Sequence, residues 1–287
     1  MPSMWISSLV LVLVLLSAAL HATWNLLVKR GEDTLIASWM TALVAPVVLW
    51  PLLFLTGLPP PPAWPMLLAS GIIHAAYNVA LARAYEYGDL SVVYPVARGL
   101  APLLIGVGAP ILLGESLSPA AMGAIALVGG GIAWLGLSAW RTRANASGLL
   151  WAGITAGLIA AYSMLDKVGV MRSNPLAYAV PLFGFDAVFV TPYVLLHRDA
   201  RQLRKVWRGN RAPLVWSGLL ALAAYLLVLV AMRLTQVSYV AALRESSVLF
   251  GAILGWRVLG DSFGRQRVPA SAVVAAGLIL LAIVMHR

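Results

Sequence analysis

The sequence predicts an all-α integral membrane protein of ten transmembrane helices, built as two inverted five-helix repeats. Three observations carry this expectation. The 287 residues are 61% hydrophobic and only 10% charged, with a mean hydropathy of +0.90. A soluble domain needs far more charged surface, so lipid is the solvent for most of this chain. Apolar runs long enough to cross roughly 30 Å of hydrocarbon recur along the whole length. Finally, "ARGLAPLLIGVGAPILLGES" from Ala97 returns as "LRESSVLFGAILGWRVLGDS" from Leu243. Overlaid, Arg98 meets Arg244, Leu103 meets Leu249, and Leu113-Gly114-Glu115-Ser116 meets Leu259-Gly260-Asp261-Ser262.

The first span, 4–28, has no Lys or Arg before its apolar run, so it reads as a membrane helix rather than a cleavable leader. Span two, 34–57, stops at "GLPPPPAWP", because proline removes an amide donor and clashes with the preceding turn. Span three, 64–86, closes at Tyr87-Gly88-Asp89, and span four, 91–113, carries Arg98 into Gly114-Glu115. Spans five and six, 119–140 and 148–170, are followed by Ser173-Asn174-Pro175 and by span seven, 176–197. A basic loop precedes span eight, 213–236; span nine is 238–259, and span ten, 268–286, follows Arg267. The short connections leave no room for a soluble domain. An open sheet in lipid would strand its backbone polar groups, so the spans must form a helical bundle.

The five-span unit is written twice, over 1–143 and 144–287. Spans one and six align Trp24 with Tyr162, Asn25 with Ser163 and Lys29 with Lys167. Spans three and eight align Ser70-Gly71 with Ser217-Gly218, Ala84 with Ala231 and Ser91 with Ser238. An odd number of spans makes the second copy enter from the opposite face. That inversion is the geometry of alternating access in many transporters.

Lys and Arg gather after odd-numbered spans: Lys29 and Arg30, Arg141 and Arg143, six residues from Arg198 to Arg211, and Arg257, Arg265 and Arg267. Cytoplasmic loops are enriched in such residues, so the count places both termini outside. The formal charge of +10 is therefore an orientation signal, and no nucleic-acid partner is expected. With no cysteine, thiol catalysis and thiolate metal sites are excluded. The histidines, His21, His74, His197 and His286, lie on distant segments. A lipid-modifying membrane enzyme would gather them with acids at one interface, so no enzyme, cofactor or metal is expected.

Span one carries "ATWNLLVK" from Ala22, and Pro102 leads into "LLGESLSPAAMGAIALVGGG". These resemble the Trp-x-x-x-x-Lys and Pro…LGE-x-L…G…G patterns of the EamA-type, ten-helix branch of the drug/metabolite transporter superfamily. The second half departs from the pattern with Tyr162 for Trp24 and Val248 for Pro102. The resemblance implies a bacterial inner-membrane exporter of small metabolites, amino acids and aromatic compounds among them. It also implies cytoplasmic termini, against the charge count.

An Arg near mid-bilayer costs about 2.5–3.5 kcal/mol on insertion scales, so Arg98 and Arg244 should face a bundle interior or a water-filled cavity. There they either meet carboxylates (Glu86 for one, Glu245 or Asp186 for the other) or capture a substrate carboxylate or phosphate with the guanidinium fork. Polar residues at helical spacing should line the same space: His21, Trp24 and Asn25 on span one, with His74, Tyr77 and Asn78 on span three. Tyr94 precedes Arg98 by one turn; Tyr162, Ser163 and Asp166 lie on span six, Tyr178 and Asp186 on span seven, and Ser247 beyond Arg244. Such a lining suits a small zwitterion with a planar or apolar side chain. Asp186 and Glu245 are the candidate coupling carboxylates. Small residues on spans five and ten, including Gly123, Gly129, Gly130, Gly131 and Ala272, are read as joining the halves within a monomer. The leading expectation is a secondary exporter of amino acids including aromatic ones. The alternative is an organic-phosphate or nucleotide-sugar-like exchanger using both arginines.

Overall fold

The computed structural model describes residues 4–29, 33–88, 90–143, 146–254 and 267–286. Helices α1 (Met4–Lys29) and α2 (Thr34–Leu49) come first, the latter running through a single 3-10 turn into the short α3 (Leu53–Thr56). They are followed by α4 (Trp64–Tyr87), α5 (Leu90–Leu113), α6 (Pro119–Arg143), α7 (Ala146–Met171) and α8 (Pro175–His197). The last four are α9 (Ala200–Leu234), α10 (Val237–Arg244), α11 (Ser246–Leu254) and α12 (Arg267–His286). Among the described residues, 9 segments are long and apolar enough to cross a membrane. Their outer faces carry Val12, Val47, Phe54, Leu55, Ile72, Val107, Ile111, Leu196 and Ile279, all exposed. So much contiguous apolar surface belongs in lipid.

Two expected elements need correction. Span nine is not one helix: α10 ends at Arg244 and α11 begins at Ser246. Around the break the backbone tightens to three-residue hydrogen bonds, Glu245 N to Ala242 O and Val248 N to Glu245 O. Periodicity gave no warning, because no proline lies there. Its counterpart α5 stays continuous despite Pro95, Pro102 and Pro110. The end of span nine, with Arg257, Asp261 and the "LGDS" element, lies outside the described residues. The basic stretch expected as a loop after α8 is helical. Asp199 and Gln202 form a reciprocal capping box that starts α9, and the backbone bends at Asn210 before Pro213. Leu203, Val206 and Trp207 of this leading segment pack on the apolar cluster around Ile36 and Met40, leaving Arg201, Arg204 and Arg208 exposed.

Helix packing carries the repeat symmetry. α1 packs on α9 as α7 packs on α4; α2 lies on α9 as α8 lies on α4; α11 touches α1 as α5 touches α7. The pairs α2–α8, α5–α10 and α6–α12 map onto themselves. Exchanging the halves therefore converts each of these contacts into another or into itself, as a pseudo-twofold axis requires. All of them cross between halves, so the repeats are interleaved. The aligned glycines show why: a Cβ on Gly71 would stand 2.6 Å from Phe185 Cβ, and one on Gly218 2.8 Å from Thr41 O. Each permits one of the two equivalent helix crossings. The expected small-residue seam between α6 and α12 is narrower than anticipated. A Cβ on Gly131 would meet Val274 and one on Gly277 Val128, whereas one on Gly129 would meet α5 and one on Gly123 or Gly130 would enter open space.

Two recognisable sequence features turn out to be helix caps, the first of them between halves. The Glu115 carboxylate accepts from Val237 N, from Ser238 N at 3.3 Å and from Ser238 Oγ at 2.7 Å. It thereby supplies the anionic cap that Gln236 does not give α10. Lys167 Nζ donates to the carbonyls of Met232 and, at 2.9 Å, Thr235, closing the C-terminus of α9.

Candidate substrate site

The helix break brings both arginines to the centre of the bundle. Arg98, on α5, binds Glu245 through two contacts, Nε to Oε2 at 3.1 Å and Nη2 to Oε1 at 2.9 Å. Its Nη2 also faces Ser247 Oγ at 3.4 Å. Both side chains are about 95% buried (5% and 4% exposed), so the pair is desolvated as well as bidentate. This is the carboxylate arrangement the sequence allowed, with one correction. Glu86 neutralises neither central arginine; it pairs at 2.9 Å with Arg83 on the surface.

Arg244 is different. It is 9% exposed and ends α10, where the negative end of the helix favours a cation. Its guanidinium lies over the Tyr225 ring, 5.6 Å from the centroid, a cation–π arrangement, and faces the Tyr162 hydroxyl. Among the described residues no carboxylate lies within ion-pair distance of it. The centre thus holds two guanidinium groups and one carboxylate, leaving a surplus positive charge at Arg244.

Aromatic rings surround that charge. His74 stacks on Tyr162 with centroids 3.9 Å apart, and Tyr77 meets the same ring edge-on at 5.9 Å. His21 lies within electrostatic reach of both arginines and packs edge-on against Trp24 at 5.1 Å. Tyr94 lies near Arg98 and Glu245. Trp24 itself leans on the cluster of Val28, Ile36 and Trp39, and Asn25 Nδ2 is satisfied by His21 O on its own helix. Ser163 Oγ and Ser246 Oγ are buried with no hydrogen-bond partner among the described residues.

A second polar cluster adjoins the first. Tyr178, expected beside the arginines, instead donates to Asp166 Oδ1 at 2.9 Å. Tyr225 donates to Asp166 Oδ2. Asp186 accepts from Asn78 Nδ2 at 2.8 Å, and His74 lies within electrostatic reach of both carboxylates. Sequence reasoning put Asp166 among the polar residues of the lining but did not single out Tyr225. Tyr225 had one available signal: it is a lone phenol in the aliphatic run "LLALAAYLLVLV".

The EamA-like transporter family model matches the chain twice, over residues 8–137 and 146–283. A solved crystal structure, described only as that of a protein, aligns over 99% of this chain and 100% of its own, with a TM-score of 0.75 at 16% identity. At that identity the likeness speaks for the fold alone. No curated protein matches the sequence significantly. Each half of the sequence answers to the same family description, over apolar helices that make this a multi-pass membrane protein; the chain belongs to the EamA-like transporter family, and its activity is the movement of small molecules through a lipid bilayer.

Proposed function

We propose that this transporter is an inner-membrane secondary exporter of small carboxylate-bearing metabolites, amino acids including aromatic ones, acting as a monomer by alternating access between its two halves. One observation carries the reading. Arg244 is a buried guanidinium at the tip of a broken helix, held over an aromatic ring and unmatched by any described carboxylate. An uncompensated buried cation is costly, and a substrate carboxylate would relieve it with two parallel hydrogen bonds. Broken helices at the repeat interface are where transporters of this architecture class hold substrate.

The surroundings narrow the chemistry. Tyr77, Tyr162, Tyr225 and His74 offer ring faces and edges to a planar or apolar side chain. The free hydroxyls of Ser163 and Ser246 suit an ammonium or hydroxyl group. The organic-phosphate alternative required both arginines. With Arg98 committed to Glu245, only one cation remains for a dianion, which favours the monocarboxylate.

The test is uptake into proteoliposomes of the purified protein with labelled amino acids, sugar phosphates and cationic dyes. Saturable movement of aromatic or other neutral amino acids, weakened by Arg244→Met, is the expected result. Movement of phosphates alone would overturn the proposal and restore the two-arginine reading.

A further inference from the structure

Buried carboxylates in a membrane span are expensive and need a reason. Glu245 has one in Arg98. Asp166 does not: it is 0% exposed, and among the described residues no Lys or Arg pairs with it. Its partners are hydroxyls, Tyr178 on Oδ1 and Tyr225 on Oδ2, with Ser70 facing it from α4. Hydroxyls both donate and accept, so this shell accommodates the carboxylate and the neutral acid alike. An arginine fork would lock the ionised form. Asp166 also breaks the repeat symmetry. Its counterpart in the alignment of Lys29 with Lys167 is Val28, so the pseudo-twofold leaves one such acid per molecule.

We propose that Asp166 is a proton-binding site, reached through His74 from the Asp186 side and linked to substrate at Arg244 through Tyr225. This rests on the transport reading above and adds the co-transported ion. His74 Nδ1 lies 2.9 Å from the Ser70 carbonyl and 3.2 Å from Ser70 Oγ; in the tautomer that donates to the carbonyl, Nε2 keeps a lone pair for relay. A proton delivered from His74 adds to one Asp166 oxygen, forming an O–H bond and cancelling one negative charge. The hydroxyl that donated to that oxygen turns to accept from it, and His74 returns to neutral. The groups around Asp166 are His74 and Ser70 from α4, Tyr178 from α8, Tyr225 from α9 and Tyr162 one turn away on α7. Arg98 of α5 and Arg244 of α10 lie beyond those rings. Because the Tyr225 hydroxyl binds Asp166 while its ring carries Arg244, the protonation state of one is felt at the other. Asp186, half-buried and tied to Asn78, is the entry side.

Infrared difference spectroscopy of the reconstituted protein, titrated across neutral pH without any substrate, reads the proton directly. The expected result is a carboxylic-acid carbonyl band that disappears as pH rises and is absent in Asp166→Asn. Tyr225→Phe, which keeps the acid but removes one hydroxyl donor to its ionised form, should let the band persist to higher pH. No titrating band, or an unchanged band in Asp166→Asn, overturns the site even if transport is confirmed. Coupling is read separately with L-phenylalanine. Asp166→Asn should retain equal-concentration exchange but lose at least tenfold of the accumulation driven by a pH gradient; retained gradient-driven accumulation overturns the proposal. Failure of wild type to exchange L-phenylalanine, with the band present, removes the substrate reading and leaves the proton site standing.

Discussion

Removing one partner of the Arg98–Glu245 pair should destabilise the protein strongly, and removing both should not. The pair is bidentate and about 95% buried (5% and 4% exposed), so a single Arg98→Met or Glu245→Met leaves an unpaired buried charge, costing about 3–5 kcal/mol. The double Met variant has no charge to strand and should lie within about 1 kcal/mol of wild type. The two single losses should also be unequal. Without Arg98, Glu245 still has Arg244 within electrostatic reach; without Glu245, both guanidinium groups lose the carboxylate within their reach. Glu245→Met should therefore be the worse variant. Unfolding in mixed micelles with increasing anionic detergent, followed by the fluorescence of the 11 tryptophans, gives all four corners of the cycle. Single-variant costs that simply add in the double would refute the pairing argument. The double variant should also still transport if the proposed reading holds, since Arg98 is occupied by Glu245; a stable but inactive double variant would return Arg98 to the substrate.

Arg244→Met should leave unfolding nearly unchanged while weakening carboxylate substrates by about 10- to 100-fold, the equivalent of one charge-assisted hydrogen-bond pair, as measured by apparent affinity in the uptake assay. Glu115→Gln removes the anionic cap of α10 and should cost about 1–2 kcal/mol in the same unfolding titration. Gly71→Ala should cost about 1–3 kcal/mol, since its Cβ would lie 2.6 Å from Phe185 Cβ; an equal cost for Gly218→Ala would follow from the repeat symmetry. By the positive-inside rule, the exposed basic face leading into α9 is expected in the cytoplasm. A single cysteine at exposed Gln202, placed in this cysteine-free chain, should therefore react with an impermeant maleimide only from that side, and labelling from outside would reverse the orientation expected from the charge count.

The architecture was legible because lipid imposes it. Helix lengths follow bilayer thickness, prolines and glycines mark the joints, and the internal repeat fixes the inversion by parity. The site was legible only to the level of residue type. Spacing placed Arg98, Arg244, His74, Tyr77 and Tyr162 on inward faces, and the structure gathers them. It could not reveal that Glu245 would choose Arg98 over its sequence neighbour Arg244, because that choice depends on the break between α10 and α11. The break itself has no proline or glycine to announce it. The partner of Tyr178 was hidden for a related reason. Helical periodicity gives the face of α8 but not the depth, and Tyr178 meets Asp166 of α7.

The repeat also explains why the two arginines differ. Duplication gives each half an arginine at the same place, and the pseudo-twofold axis brings both to the α5–α10 contact. Two buried cations there would repel, so only asymmetric solutions are stable. Glu245 supplies one: position 99, its counterpart in the first half, is glycine, whose added Cβ would lie 2.5 Å from Ala133 N. A side chain at that position would collide with α6, so the carboxylate resides only in the second half. It can neutralise only one guanidinium at short range, and the bidentate geometry selects Arg98. The remaining charge at Arg244 follows from that single constraint, and a substrate carboxylate is the group that would complete it.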